Sequence, residues 1–357
     1  MIRISEYTQG NGMKSEVLRT KQEVTVNIDL LAALLARLQK DSGEIPWSEG
    51  GKTDPWDHIE AAMGLCIGGY INEARRAYEW LTSIQLEDGS WYASYIDGKP
   101  LDKTRDTNIS TYIAVGIYHY YLITKDTDFL NRMWDTICAA MEFAISLQAP
   151  TGEIYWAKSP EMEIDHMALL TGSSSIYMSL KCSLAIAKIL DEKKPAWETA
   201  KTKLGHALRD GLHLFNITKS RYSMDWFYPV LSGAVTGKEA RKRIDQHWKK
   251  FIVEGMGIRC VSDRPWVTIA ETSELVLALA AMGNFELAEI VFNWISERTF
   301  DDGSYWCGFT FPDMIIWPED KITWTNGVVI MAADALYKLS PACNLFSHKF
   351  WETSKLA

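Results

Sequence analysis

The sequence holds six cysteines, Cys66, Cys138, Cys182, Cys260, Cys307 and Cys343, but no CxxC pair. That spacing excludes the common zinc and dithiol motifs, and several of the six sit in apolar helical runs, where cysteine acts as a small hydrophobe. No apolar run reaches the roughly 18 residues that a membrane-spanning helix needs. The N-terminal Met1-Ile2-Arg3-Ile4-Ser5-Glu6 lacks a signal-peptide core. There is no Lys/Arg-rich run, and the net charge of −9 argues against a nucleic-acid partner. No phosphate loop, dinucleotide fingerprint or Ser-His-Asp or Cys-His arrangement is legible, and no strand pattern of useful length competes with the helices. These absences lead to the expectation of a reduced, cytoplasmic, soluble protein that uses neither metal nor cofactor.

What the sequence has in excess is aromatic residues, 15 Trp and 15 Tyr in 357 residues, more than a core of this size needs. One segment shows how they are organised. Ala74, Ala77, Tyr78, Leu81 and Ile84 form an apolar stripe of helical period. Asp88-Gly89 then stops the helix with a residue that tolerates positive φ, and Trp91 follows. The same punctuation recurs at Asp41–Trp47, Thr151–Trp156 and Asp301–Trp306, with looser versions at Ser220–Trp226 and Ile258–Trp266. The six tryptophans, Trp47, Trp91, Trp156, Trp226, Trp266 and Trp306, are spaced by 44, 65, 70, 40 and 40 residues. Repeats of this length mean helical hairpins or propeller blades, and helical periodicity rules out the blades.

Twelve helices of two alternating kinds follow from the pattern. The odd-numbered ones carry an apolar stripe and a charged back. The even-numbered ones start polar and become apolar on most sides, so they must be buried all round. This predicts an all-α, (α/α)6 toroid of six hairpins, with residues 54–69, 106–124, 172–190, 225–235, 266–282 and 324–338 as the inner ring. A polar leader (1–22), one toroid domain (23–345) and a C-terminal tail (346–357) complete the organisation.

The repeat resembles the α/α-toroid superfamily of terpene cyclases, prenyltransferase β-subunits and six-hairpin glycosidases. Gln85–Trp91, a Gln-x-x-Asp-Gly-Ser-Trp segment, looks like the QW-type repeat of the cyclases, and Asp57–Met63 is similar to a segment of bacterial proteins labelled prenyltransferase. The departures bear on chemistry. The nearest match to the cyclase acid run is Asp126-Thr127-Asp128-Phe129, which lacks its last acid. The prenyltransferase zinc set finds Cys307 but no third-ligand His downstream, since His348 lies close to a polar C-terminus.

In such a toroid the starts of the inner helices gather at one mouth, with their dipoles and free N–H groups. The polar groups predicted there are Trp56, Asp57 and Glu60; Arg105, Asp106 and Asn108; Ser174 and Tyr177; Asp225, Trp226 and Tyr228; Asp263, Arg264, Trp266, Glu271 and Glu274; and Trp306 and Trp324. Asp54, Asp106, Asp225 and Thr325 also read as simple helix caps or first-turn acids. Glu60, Glu271 and Glu274 lie inside buried helices, where capping does not account for them; their expected partners are Arg105 and Arg264, and like-charged pairs at i, i+3 would raise one pKa in each pair. Carboxylates facing one another in an aromatic-lined bowl suit glycosidic chemistry, with aromatic faces stacking on sugar rings. The expectation is an enzyme acting on a carbohydrate or glycoconjugate, with Asp57 and Glu271 as the acid/base pair, Asp225 and Asp263 in reserve, and Arg105 and Arg264 holding substrate oxygens. An isoprenoid cyclase or transferase, or a non-catalytic binder, is the alternative.

Overall fold

The structure, a computed structural model, describes residues 26–353. The expected leader lies outside the described residues. The outer helices are α1 (Ile28–Leu38), α3 (Ile71–Ser83), α6 (Thr127–Ser146), α8 (Pro195–Asp210), α10 (Gly237–Phe251) and α12 (Phe285–Asn293). The inner ones are α2 (Pro55–Ile67), the pair α4 (Thr107–Thr111) and α5 (Ile113–Thr124), α7 (Leu170–Ile189), α9 (Ser223–Leu231), α11 (Ile269–Ala281) and α13 (Thr323–Tyr337). Successive inner helices pack in the order α2, α5, α7, α9, α11, α13 and back to α2, which closes the ring. The architecture is the predicted (α/α)6 toroid.

Burial follows the two helix types. Every residue of α11 is buried, whereas α10 buries only Ala240, Ile244, Trp248 and Phe251, one stripe of a charged helix. None of the helices among the described residues is long and apolar enough to cross a membrane.

The repeated turn has a definite physical role. Gln85 Nε2 donates to the carbonyl of Gly89 (2.9 Å) and to that of Thr136 on α6 (3.0 Å). Gln148 does the same to Gly152 (2.9 Å) and Ala200 on α8 (3.0 Å), and Gln39 to Gly43 (3.0 Å) and Glu73 on α3 (2.9 Å). Each glutamine thus ties its own turn to the next outer helix. Gly89 and Gly152 adopt φ of 85° and 109°, and a Cβ on Gly89 would sit 2.1 Å from the Ala139 carbonyl oxygen. Only glycine fits there. Trp91 fills the space behind the turn, fully buried, its indole N–H on the Leu81 carbonyl (2.8 Å).

Ring closure depends on a second close approach. Gly64 of α2 faces Gly327 of α13, and a Cβ on Gly64 would meet the Gly327 Cα at 2.9 Å. Thr323 Oγ1 donates to the Pro46 carbonyl (2.6 Å), and Thr323 N to that of Trp47 (2.7 Å).

Two expectations change. The chain does form sheets: a hairpin of Ser94–Ile96 with Lys99–Asp102, a three-stranded sheet of Arg105–Asp106, Ala157–Lys158 and Ile164–Asp165, and a four-stranded antiparallel sheet of Ile252–Val253, Gly257–Arg259, Trp266–Thr268 and Gly308–Thr310. Strands of two to four residues are too short to show alternation, and they leave the helical ring intact. Within the expected tail, His348–Thr353 form helix α14, whose Trp351 is buried.

Candidate active site

The mouth of the ring is built by helix starts. Asp54 caps α2: its Oδ1 accepts from Asp57 N (3.0 Å), while its Oδ2 accepts from Trp47 Nε1 (2.7 Å). Pro55 in the first turn pre-sets the helix, so Trp56, Asp57 and Glu60 leave its opening turns in fixed directions. Trp56 Nε1 donates to Glu60 Oε1 (2.8 Å). From the neighbouring inner element, Tyr112 Oη donates to the same oxygen (3.4 Å) at the break between α4 and α5. Tyr228 of α9 donates to Glu274 Oε1, whose other oxygen is buried without a protein partner. The Trp56 ring lies 5.4 Å from Tyr112 and 5.7 Å from Tyr228, centroid to centroid. Glu271 Oε1 accepts from Cys260 Sγ (3.2 Å).

These groups also feel one another's charge. Burial, then the charges of Asp54 and Glu60, push the Asp57 carboxyl well above the usual range. Burial is also the main cause for Glu60, raised to about 8 against the opposing Trp56 hydrogen bond, with Asp54 and Glu271 adding to it. Glu274 is raised well above its ordinary value by burial and then by Glu60 and Glu271. The Cys307 thiol, raised to about 12, responds to burial first and then to both Glu271 and Asp57. Among the described residues no salt bridge reaches Asp57, Glu60, Glu271 or Glu274. Glu60, Glu271 and Glu274 are buried and Asp57 is half-buried, so carboxylates without an ion-pair partner are costly here and the cost falls when protons are retained. The upward shifts of Asp57, Glu60 and Glu274 favour proton retention, the property a general acid needs.

A cavity of about 240 Å³ opens beside Trp56, between the starts of α2, α4 and α7. Ile109, Ile154, Trp156, Leu169 and Ile176 supply most of its wall. Asp106, Asn108, Thr171 and Ser173 bring polar atoms to it, and Asn108 Oδ1, Ser173 Oγ and Trp156 Nε1 are buried there without hydrogen-bond partners.

Several predicted residues lie elsewhere. Asp106 is at this cavity but works as the cap of α4, accepting from Ile109 N (2.9 Å); burial raises it to about 6. Asp225 reaches sideways to α7, accepting from Thr171 N (3.1 Å) and Oγ1 (2.7 Å), a cap bond between helices. Asp263 is 61% exposed and paired with Arg221 (2.7 Å), and Arg264 is exposed beside it. Both fall outside the ring because α11 begins only at Ile269, after strand Trp266–Thr268. Arg105 does not meet the buried carboxylates: it pairs with Asp88 of the repeated turn (2.7 Å).

The aromatic predictions divide as well. Trp226 is core, stacked on Phe251 at 5.3 Å with its N–H on the Arg243 carbonyl (2.8 Å). Tyr177 lies against Gly205 of α8, on the outer side, and Ser174 bonds back to the Leu170 carbonyl (2.7 Å). Trp266 packs edge-on against Trp317 in the four-stranded sheet, and half-buried Trp306 packs on Phe309. Trp324 lies 6.4 Å from Trp47, its N–H buried and unpartnered. Tyr112 and Trp156 were not predicted for the site. Trp156 carried a signal, as one of the six repeat tryptophans; Tyr112 sits at a helix break that periodicity hides. His58, inside the Asp57–Met63 segment, bridges Ile45 N (3.0 Å) and the Ala77 carbonyl (2.9 Å) and is lowered by burial to about 4, a packing role.

No protein-family model matches the chain. A search of curated proteins finds MMP endo-(1,4)-3-O-methyl-alpha-D-mannosidase of Mycolicibacterium hassiacum, 46% identical over 315 residues, which are 88% of this chain and 87% of that protein. Among solved structures, a wild-type glycosidase superposes with a TM-score of 0.68 at 14% identity, covering 92% of this chain and all of that one. The GH63 mannosylglycerate hydrolase of Thermus thermophilus superposes at 0.66 and 12% identity, covering 87% of this chain and all of its own. These two likenesses concern the fold. The prenyltransferase side of the resemblance gains no support from them.

Proposed function

The chain belongs to the family of the Mycolicibacterium endo-mannosidase and is a glycoside hydrolase, and on that premise we propose that it cleaves internal α-(1,4) bonds of a mannoside chain, with Asp57 and Glu271 as the reacting carboxylates. What supports the residue assignment is the geometry around them: Asp57 leaves the first turn of α2 beside Trp56 and Glu60, Trp56 lies against Tyr228, and Tyr228 donates to Glu274, one turn of α11 from Glu271, which accepts from Cys260.

The roles follow from the surroundings. Asp57, with Asp54 and Glu60 beside it, keeps its proton and is the general acid. It gives that proton to the glycosidic oxygen as the bond from the anomeric carbon to that oxygen breaks. Glu271 accepts a proton from water as the water oxygen bonds to the anomeric carbon. Glu60 and Glu274 do not touch the bond; they set the charge around it, and Tyr112 and Tyr228 fix their oxygens. Trp56 and Trp324 offer faces for the sugar rings. Six free cysteines agree with a reducing, cytoplasmic setting.

The test is incubation with α-(1,4)-linked mannooligosaccharides, 3-O-methylated and plain, with an α-(1,4)-glucan as comparison. Shortened mannosides seen by mass spectrometry are expected. Intact mannosides at high enzyme concentration would remove the proposal.

A further inference from the structure

Among the described residues Trp317 is the only exposed tryptophan, at 60%, and Ile315, two residues earlier, is exposed as well. An apolar surface of that size kept in water marks a place that something covers. The indole is nevertheless held in position. Trp317 N donates to the Gly308 carbonyl (2.9 Å), and the Trp317 carbonyl accepts from Trp266 Nε1 (2.9 Å). The two rings meet edge-on with centroids 5.2 Å apart. Gly308 leaves room for this arrangement, because a Cβ there would sit 2.8 Å from Trp266 Nε1.

The pair stands on the same side of the ring as the active site. Trp266 opens the strand that runs into α11, the helix of Glu271. Trp317 lies in the segment that leads into α13, which packs on α11. Cys307, next to Gly308, accepts through its carbonyl from Ile269 N (3.0 Å) at the first residue of α11. At about 3.3 Å per strand residue and 1.5 Å per helix residue, the Trp266 backbone is within roughly 13 Å of that of Glu271. A sugar over Trp317 is therefore not one of those that react, yet it can belong to the same oligosaccharide.

We propose that Trp317, seated on Trp266, is a distal sugar-binding platform, whose exposed indole face stacks on the C–H face of a pyranose remote from the scissile bond in a chain held by the active site. The inference rests on the mannosidase reading above and adds where a long chain is gripped. Stacking needs no particular pattern of hydroxyls, so the platform selects for chain length and not for the substituents of the sugar. Binding energy from a remote part of the substrate raises kcat/KM for the chains that carry it. Burying part of one indole face is worth roughly tenfold.

The experiment compares kcat/KM, per cleavable bond, for α-(1,4)-linked mannose tetrasaccharides and decasaccharides. The wild type should favour the decasaccharide by about tenfold. Trp317→Ala, at an exposed position the fold does not depend on, should bring that ratio close to one, and Trp317→Phe should restore most of it. A wild-type ratio of one overturns the proposal while leaving the mannosidase reading standing. So does a ratio that Trp317→Ala leaves unchanged, or an equal slowing of both substrates, which would make the segment a support for Glu271. A Trp317→Ala protein whose mass by light scattering drops also overturns it, since the patch then joins copies of this chain. If no mannoside is cleaved, the mannosidase reading itself fails, and calorimetry on the Asp57→Asn protein judges the platform separately. A decasaccharide that binds about tenfold tighter than the tetrasaccharide, and loses that advantage with Trp317→Ala, supports it. No binding, or an advantage that survives Trp317→Ala, sinks it.

Discussion

Replacing Asp57 by Asn separates the acid from every other role in the site. The change keeps the shape of the side chain and removes only the proton that can be given away. The fold should tolerate it well, because burial beside Asp54 and Glu60 already disfavours the charged carboxylate. Asn is neutral at all pH values, so thermal stability at pH 8 should equal or exceed that of the wild type. Loss of one general acid costs roughly 10²–10⁴ in rate. That corresponds to about 3–5 kcal/mol in the barrier. The loss should depend on the leaving group: with an aryl oligomannoside whose phenol departs without help, most of it should vanish. Glu271→Gln should be slow on both substrates, since water still needs a base. The assay is kcat on the natural-type oligosaccharide and the aryl glycoside for both variants. An Asp57→Asn enzyme that loses less than tenfold, or equally on both substrates, refutes the assignment of Asp57 as acid.

Other outcomes follow from groups around the site. Glu60 titrates near 8 in the folded protein, above its unfolded value, so the stability it contributes is complete in acid and lost as pH rises toward 8. The unfolding free energy should therefore fall between about pH 5 and 8 by up to about 1.4 kcal/mol per pH unit for this group, and the melting temperature with it. Glu60→Gln should flatten that slope in calorimetric scans, and an unchanged slope would show that Glu60 is not its source. Asp225→Ala, which strips both bonds to Thr171, should cost roughly 1–3 kcal/mol in denaturant titrations. Asp225→Asn should leave kcat within a few-fold, and a thousandfold loss would return Asp225 to the catalytic set. Trp226→Ala should destabilise by about 3–5 kcal/mol through the cavity against Phe251. Asp263→Asn should change neither activity nor stability measurably, because its pair with Arg221 is exposed.

The ring of helices was legible because the inner helices become apolar on most sides and four of the six repeat sites hold a glycine turn before the tryptophan. The role of the glutamine before that turn was not, since its partner is a backbone carbonyl about fifty residues away. Glu60, Glu271 and Glu274 could be singled out from sequence because a carboxylate inside an apolar helix has no local explanation. Asp263, Arg264 and Arg105 could not be placed, because short strands between outer and inner helices carry them away from the axis or into surface pairs. Trp226 failed for a related reason: it is adjacent to Asp225, but a helix turns about 100° between neighbours, so one looks to α7 and the other to α10. Asp54 and Asp106 were readable from sequence as helix caps, and the structure makes both of them caps, of α2 and α4.

The glycine contact that closes the ring has a bearing on how the protein comes into being. Asp57 belongs to the first hairpin and Glu271 to the fifth, and the sixth, with Gly327, packs back onto Gly64 of the first. A chain emerging from the ribosome carries the proposed acid early, yet the wall that holds it arrives last. Contacts between segments more than 250 residues apart form late because of the loop they must close. Until that seam forms, Asp57 has only its helix neighbours Asp54 and Glu60 to raise its proton affinity, without the burial that is the larger cause. The proposed acid and base therefore share one site only in the finished circle, since they are carried by the first and fifth hairpins and the sixth closes the ring.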